Sequence, residues 1–151
     1  MLTPFHVAVQ VRDIEEARAF YGEKLGFPEG RSADHWVDFD MFGHQFVVHL
    51  NPALGARGRV SHVFNPVEDD QVPVPHCGVV LPFPAWEALA ARARAVIEGF
   101  VIEPHIRFRG QVGEQGTMFF LDPSGNALEF KAFRDIAAEL FRKPAVDRHD
   151  P

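Results

Sequence analysis

The amino-acid sequence predicts an α+β fold built from two tandem βαβββ modules. Two observations lead to this prediction. Runs rich in β-branched and aromatic residues are interrupted by two segments with helical periodicity, and the order strand, helix, strands occurs twice. Module one spans residues 4–50 and module two residues 75–133, joined by a linker at 51–74. Together with a C-terminal helix they form one predicted domain, residues 1–143.

Module one begins with "FHVAVQV" (5–11), a predicted strand, and continues with a helix in "RDIEEARAFYGEKLGF". Asp13 is a suitable N-cap, and Glu16 three residues later completes a capping-box pattern. Gly26 provides a left-handed stop. The predicted apolar face of this helix consists of Ile14, Ala17, Phe20, Tyr21 and Leu25.

Short strands at "HWVDFDMF" (35–42) and "HQFVVHL" (44–50) complete module one. The linker carries several Gly and Pro residues and the acidic run "VEDDQ" (67–71). This composition is typical of a surface linker or a lid over a site.

Module two repeats the order with a strand at "HCGVVL" (76–81) and a helix in "PFPAWEALAARARAVIEGF", which Pro84 opens and Gly99 closes. The predicted apolar face of this helix consists of Trp86, Leu89, Ala90, Ala93 and Ile97. Three further strands are predicted at "FVIEPHIRF" (100–108), "GTMFFLD" (116–122) and "NALEFKAF" (126–133). A short helix at 134–143 and a frayed tail at 144–151 follow.

Composition limits the class of protein. The 151 residues are 46% hydrophobic, with 15 phenylalanines, which supplies ample core material. The formal net charge of −6 argues against nucleic-acid or anionic-membrane partners. Because Cys77 is the single cysteine and no apolar run approaches the about 20 residues that span a bilayer, we expect a cytoplasmic protein.

The repeat places polar residues at matching positions. His6 and His76 each stand at the head of the first strand of a module. In the last strand of module one, His49 mirrors Glu129 in the last strand of module two. Pairing the modules side by side would direct these four side chains toward one cavity.

Two imidazoles and a carboxylate are ligands that suit Fe²⁺, Zn²⁺, Ni²⁺ or Mn²⁺, and we predict that His6, His76 and Glu129 hold such a metal. The alternative for His76 is a hydrogen-bonded core histidine. Glu129 stands among apolar neighbours, where a carboxylate is seldom buried unless it is paired or bound to metal. Three roles stay open for His49: a fourth ligand, a proton-transfer group or a core histidine.

A second polar group precedes the turn "DPSGN" (122–126). Period-two spacing puts His105, Arg107 and Arg109 on one strand face, where the two guanidiniums would clamp a carboxylate or phenolate substrate. If that face points outward, they form a solvated edge. Phe108 is a candidate for an aromatic substrate pocket or for the core, and His105 is a candidate for proton transfer.

Three segments resemble the vicinal oxygen chelate superfamily, which includes glyoxalase I, bleomycin resistance proteins and extradiol ring-cleaving dioxygenases. These segments are "HVAVQVRDIEEARAFYGEKLGF", "PHCGVV" and "FFLDPSGNALEF". The last is similar to the superfamily pattern D-P-x-G-x-x-x-E, with Asp122, Pro123, Gly125 and Glu129 at the matching positions. The resemblance covers about residues 3–133.

The resemblance implies a cupped, mostly antiparallel sheet around one divalent metal bound by His6, His76 and Glu129. It places His49 where glyoxalase I has a fourth, carboxylate ligand. The three-ligand set is that of the extradiol dioxygenases, so Fe²⁺ is the favoured metal and Ni²⁺, Zn²⁺ and Mn²⁺ are alternatives.

The leading hypothesis for function is therefore an extradiol-type dioxygenase acting on a small aromatic diol, with His49 or His105 handling protons. Those enzymes also use a tyrosine near the metal, whereas the context of Tyr21 here indicates helix packing. The alternatives are a glyoxalase-like isomerase or lyase and a non-catalytic small-molecule-binding module. Exposed strand edges at the module ends favour a homodimer.

Overall fold

The structure is a computed structural model, and it describes residues 3–143. Module one forms a four-stranded sheet in the order β1-β4-β3-β2, in which β1 runs parallel to β4 and the other neighbours are antiparallel. Its strands are β1 (His6–Val11), β2 (Glu29–Ala33), β3 (Trp36–Met41) and β4 (His44–Leu50). The strand β2 was not predicted, because its sequence "EGRSA" is polar and all its residues are exposed.

Helix α1 starts with α-helical residues Ile14–Ala17 and continues as a wider, π-helical segment, Arg18–Lys24. Asp13 caps it as predicted, since its carboxylate accepts a hydrogen bond from the Glu16 backbone N–H at 2.7 Å. The capping box is only half formed, because the Glu16 carboxylate pairs with Arg12. All five predicted apolar-face residues are buried, and Gly26 ends the helix with a φ of +80°.

The linker contains regular structure that the sequence did not predict. A short turn, Pro52–Leu54, is followed by a two-stranded hairpin of β5 (Val63–Val67) and β6 (Asp70–Val74). Each strand contains a proline, which normally argues against a strand and is tolerated in a hairpin that pairs only with itself.

Module two forms a sheet in the order β7-β11-β10-β9, with β8 also paired to β11. Its elements are β7 (His76–Cys77), β8 (Val80–Pro82), α2 (Phe83–Val96), β9 (Ile102–Arg107), β10 (Gln115–Leu121), β11 (Ala127–Phe133) and α3 (Ile136–Glu139). Helix α2 ends earlier than predicted because Ile97 is already extended. The predicted tail at 144–151 lies outside the described residues. In the described part of the chain, no helix is long and apolar enough to cross a membrane.

One apolar core joins the two modules. Alternate residues of both sheets point into it and pack against both helices: Val37, Phe39, Phe46 and Val48 from module one, and Met118, Phe120, Leu128 and Phe130 from module two. A buried hydrogen bond of 2.7 Å from the Tyr21 hydroxyl to the Asp122 carboxylate also ties the modules together. By strand alternation, the faces that carry His6 and Glu129 point away from this core.

The first strand of module two is interrupted at Gly78, although the sequence predicted one strand over 76–81. A Cβ atom on Gly78 would lie 1.6 Å from the backbone oxygen of Glu129. Only a residue without a side chain allows the two backbones to approach this closely. The glycine therefore sets the position of the strand that carries Glu129.

We expect Gly78→Ala to lower the free energy of unfolding by about 3 kcal/mol or to prevent folding, because the backbone of β11 would have to move. Urea-induced unfolding measures the change. Gly99→Ala is the matched control, since a Cβ atom on Gly99 would meet no atom within 4 Å. Equal stability of the two variants would contradict this account of Gly78.

Candidate metal centre

Two of the three predicted metal ligands lie together. His76 on β7 and Glu129 on β11 are on neighbouring strands, and the His76 Nε2 atom lies 3.2 Å from the Glu129 Oε2 atom. The other ring nitrogen, Nδ1, lies 2.6 Å from the backbone oxygen of Pro73, to which it donates. Hydrogen bonding to Glu129 raises the pKa of His76, burial partly opposes this, and the bond to Pro73 adds to it. The Nε2 atom is thus directed at the Glu129 carboxylate.

The Glu129 side chain is only 6% exposed, yet it is well provided with partners. Thr117 donates a hydrogen bond of 2.9 Å to Oε1, and the Lys131 ammonium lies 3.6 Å from Oε2. Burial raises the pKa of Glu129, but the hydrogen bond from His76, the Lys131 charge and the Thr117 hydroxyl outweigh it, so the pKa lies below its ordinary value. The carboxylate is therefore ionised at neutral pH and available as a ligand.

On the other sheet, the Nδ1 atom of His6 is also held by a hydrogen bond to a protein oxygen. Its Nδ1 atom lies 2.7 Å from the Gln45 Oε1 atom, and the Gln45 amide donates to the buried Asp38 carboxylate at 3.0 Å. The amide oxygen can only accept, so Nδ1 carries the hydrogen of this bond. Both histidines thus present the same nitrogen.

His6 does not join His76 and Glu129 within one chain. Among residues 3–143 no three His, Cys, Asp or Glu side chains lie close enough together to hold a metal ion. The shared core explains this, since the two sheets pack their other faces against it and turn the predicted ligands outward. The expected convergence inside a single chain is not formed.

The strand register corrects the predicted equivalence of His49 and Glu129. Glu129 lies two residues beyond Ala127, the register partner of His76. In module one the register partner of His6 is Gln45, and the residue two positions beyond Gln45 is Val47. Val47 is buried and has no ligand atom. Module one therefore offers no carboxylate or imidazole at the position of Glu129.

His49 pairs with Gln10 on β1 and with Trp36 on β3, and its side chain is exposed. In module two the position that corresponds to His49 in the strand register is occupied by Lys131, which pairs with Val80. A role for His49 in proton transfer stays a prediction.

His105 and Arg107 share one face, as the spacing predicts, and both contact Asp70 of the hairpin. The Asp70 Oδ2 atom lies 2.7 Å from Arg107 Nη2 and 3.2 Å from His105 Nε2. Arg107 is only 3% exposed, so it is not part of a solvated edge, and its Nε–H group has no hydrogen-bond partner in the described structure. Asp70 was not among the predicted site residues, since it lies in the linker.

Arg109 does not continue this row, contrary to the prediction. Strand β9 ends at Arg107, and Phe108 turns away with a φ of +55° while its backbone N–H donates to the Glu68 carboxylate. Arg109 is exposed beyond this turn. A substrate clamp of two parallel guanidiniums is therefore not formed here, and Phe108, half-buried at the turn, stays a candidate pocket residue.

The hairpin also contacts the surroundings of His76. Val72 of β6 packs with Ile102 and Phe119, and the Phe119 ring stands edge-to-face to the His76 ring at 5.0 Å between centroids. A cavity of about 780 Å³ opens beside His76, between β1, the start of β11 and the linker. This volume is typical of a small-molecule site.

Tyr21 lies in the core and forms no hydrogen bond to these groups in the described structure. Its fully buried hydroxyl donates to Asp122, and burial raises its pKa well above the ordinary value. The structure confirms the packing role that the sequence context of Tyr21 indicates.

We expect Asp70→Ala to loosen the hairpin, because it removes the carboxylate that pairs with the buried Arg107 guanidinium. The free energy of unfolding should fall by about 1–3 kcal/mol, and limited proteolysis should cut within residues 63–74 faster than in the wild type. Asp69→Ala, which changes an exposed neighbour, is the control. Identical cleavage rates for both variants would show that Asp70 does not hold the hairpin.

Comparisons with known proteins agree with this architecture. The family model of the Glyoxalase/Bleomycin resistance protein/Dioxygenase superfamily matches residues 3–130. A glyoxalase/bleomycin resistance protein/dioxygenase from Alicyclobacillus acidocaldarius is 30% identical, with 89% of this chain and 94% of that chain covered and a TM-score of 0.72. No curated protein matches the chain.

Two more distant structures share the fold. The fosfomycin resistance protein FosX from Listeria monocytogenes is 16% identical, with 88% of this chain and 95% of that chain covered and a TM-score of 0.57. A glyoxalase/dioxygenase from Nostoc punctiforme is also 16% identical, with coverages of 88% and 92% and a TM-score of 0.60. With the family model matching most of its length, the chain belongs to the Glyoxalase/Bleomycin resistance protein/Dioxygenase superfamily.

Proposed function

We propose that this protein is a divalent-metal-dependent enzyme that acts on a small substrate with two neighbouring oxygen atoms. The proposed metal ligands are His76 and Glu129 of one chain and His6 of a second copy. The observation that carries the proposal is the buried, ionised Glu129 carboxylate, which faces the Nε2 atom of His76 at 3.2 Å beside a cavity.

The donor set fits such a metal. Both histidines have Nδ1 engaged by a protein oxygen, which directs Nε2 outward, and Thr117 orients the Glu129 carboxylate through its second oxygen. Imidazole and carboxylate ligands suit Fe²⁺, Mn²⁺, Ni²⁺ and Zn²⁺. A metal bound there would hold both substrate oxygens and stabilise negative charge on them.

A second copy would complete the site. His6 lies on an exposed sheet face, and the residue before it, Phe5, is 67% exposed. On the linker hairpin, Phe64 is 54% exposed. Apolar side chains left open beside a ligand-bearing face favour an interface, and a symmetric homodimer would use this face twice.

Within this class, an extradiol-type dioxygenase is the first reaction to test. Val47 at the position equivalent to Glu129 supports three protein ligands rather than four, which leaves room for a bidentate diol and O₂. His49 and His105 are the proposed proton-transfer residues. His105 would have to leave Asp70 to serve, since Nε2 is engaged there and Nδ1 bonds to the Glu103 backbone oxygen.

One observation favours a second candidate, a non-oxidative isomerase or lyase. Tyr21 is the sole tyrosine of the chain, and its hydroxyl is bonded to Asp122 in the core. It is therefore not available to act on an aromatic diol.

Oxygen consumption separates the two candidates. We expect the Fe²⁺-loaded protein to take up O₂ with at least one catechol of a panel, and His76→Ala to lose this activity with its metal. If metal is retained but no catechol supports uptake, conversion of the glutathione hemithioacetal of methylglyoxal is the next assay, and a positive result there would favour the lyase.

The shared site can be tested without a substrate by combining His6→Ala and His76→Ala chains carrying different tags. Each variant alone should lose most of its metal. Their heterodimer should regain about half the wild-type content, because one of its two sites keeps His6 from one chain and His76 with Glu129 from the other. Elemental analysis measures this.

His105→Ala serves as the matched control and should keep its metal, since His105 contacts the hairpin. No recovery in the heterodimer would rule out a site shared between copies. Loss of metal in His105→Ala equal to that in His76→Ala would contradict the proposed ligand set.

A further inference from the structure

Lys131 lies in the proposed site without being one of its predicted residues. It follows Glu129 by two positions on β11, so both side chains point to the same face of the sheet. Its ammonium lies 3.6 Å from the Glu129 Oε2 atom, the oxygen that the His76 Nε2 atom also contacts. The Lys131 side chain is 34% exposed, so part of it is open to solvent.

The charge of the Glu129 carboxylate is balanced by the side chains that contact it. One buried carboxylate is compensated by the Lys131 ammonium and by hydrogen bonding from His76. A divalent cation held by Glu129 and neutral histidines would change this balance. The cation and the ammonium would then share a single carboxylate, and two positive charges would remain uncompensated in a partly buried site.

We propose that Lys131 is a substrate-binding residue that contacts an anionic oxygen of the substrate, and that the substrate is an anion whose two neighbouring oxygens carry negative charge. This inference rests on the proposed function, because the metal creates the excess of positive charge. A charge-assisted hydrogen bond from the ammonium would hold the anion, and the same charge disfavours neutral compounds of similar shape.

A purely structural role for Lys131, which would be to compensate the buried Glu129, leads to a different expectation. Its removal would then destabilise the fold, and with it the metal site, but would not select between ligands. A comparison of two probes with the same neighbouring oxygens and different charge distinguishes the two roles. Oxalate carries two negative charges, and oxamate has a neutral amide in place of one carboxylate.

The experiment titrates oxalate and oxamate into Mn²⁺-loaded dimers by calorimetry, after the metal content of each protein has been measured. In Lys131→Met we expect oxalate binding to weaken about tenfold and the preference for oxalate over oxamate to fall, with metal content unchanged. Lys131→Arg should keep the preference. Lys143→Met, which removes the same charge at an exposed position near the end of the described chain, should match the wild type.

Oxalate binding in Lys131→Met that equals that in Lys143→Met, at equal metal content, would overturn the inference and leave the proposed function intact. Loss of metal from Lys131→Met, with both probes weakened alike, would also overturn it in favour of the structural role. Absence of metal from the wild-type protein would instead refute the proposed function, and the inference with it.

Discussion

The organisation of this protein depends on one shared apolar core. Each sheet packs one face against the same two helices, and the Tyr21–Asp122 hydrogen bond fastens the modules at the turn before β11. A sheet has only two faces, so the faces that carry His6 and Glu129 are left to point outward. Completing the proposed three-ligand site from these faces would therefore need a second chain.

The buried carboxylate sets the chemistry of the candidate centre. Glu129 is tolerated in an apolar sheet because a hydroxyl, an imidazole and an ammonium surround it. Hydrogen bonding to Glu129 raises the pKa of His76, which favours a proton on this imidazole. Binding of a metal would displace this proton, so metal affinity and pH are linked by the geometry of the pair.

Much of the fold was predictable because it follows from local patterns. The capping of helix α1 by Asp13, its apolar face and the strands flanking the turn "DPSGN" all leave period and turn signals in the sequence. The hairpin at 63–74 left no such signal, because each of its strands contains a proline. Its docking also depends on the contact between Asp70 and Arg107, which are 37 residues apart in the sequence.

The sequence allowed the residues of the candidate site to be proposed, but it did not predict how they are arranged. The paired positions of His6 and His76 follow from the repeat, whereas the register that relates Glu129 to Val47 rather than His49 emerges only from strand pairing. Lys131 was overlooked since its spacing from Glu129 gains meaning only once both side chains are known to share a face with His76. The sequence carries no signal that distinguishes modules whose ligand-bearing sheet faces meet within one chain from modules whose ligand-bearing faces point outward.

Strand β6 carries two contacts that bear on the centre. Asp70 at its start pairs with Arg107, and the backbone oxygen of Pro73 near its end accepts a hydrogen bond from His76 Nδ1. Only three positions separate these residues on one short extended segment. Displacement of the hairpin would thus remove a hydrogen bond that orients the His76 imidazole at the same time as the ion pair with Arg107.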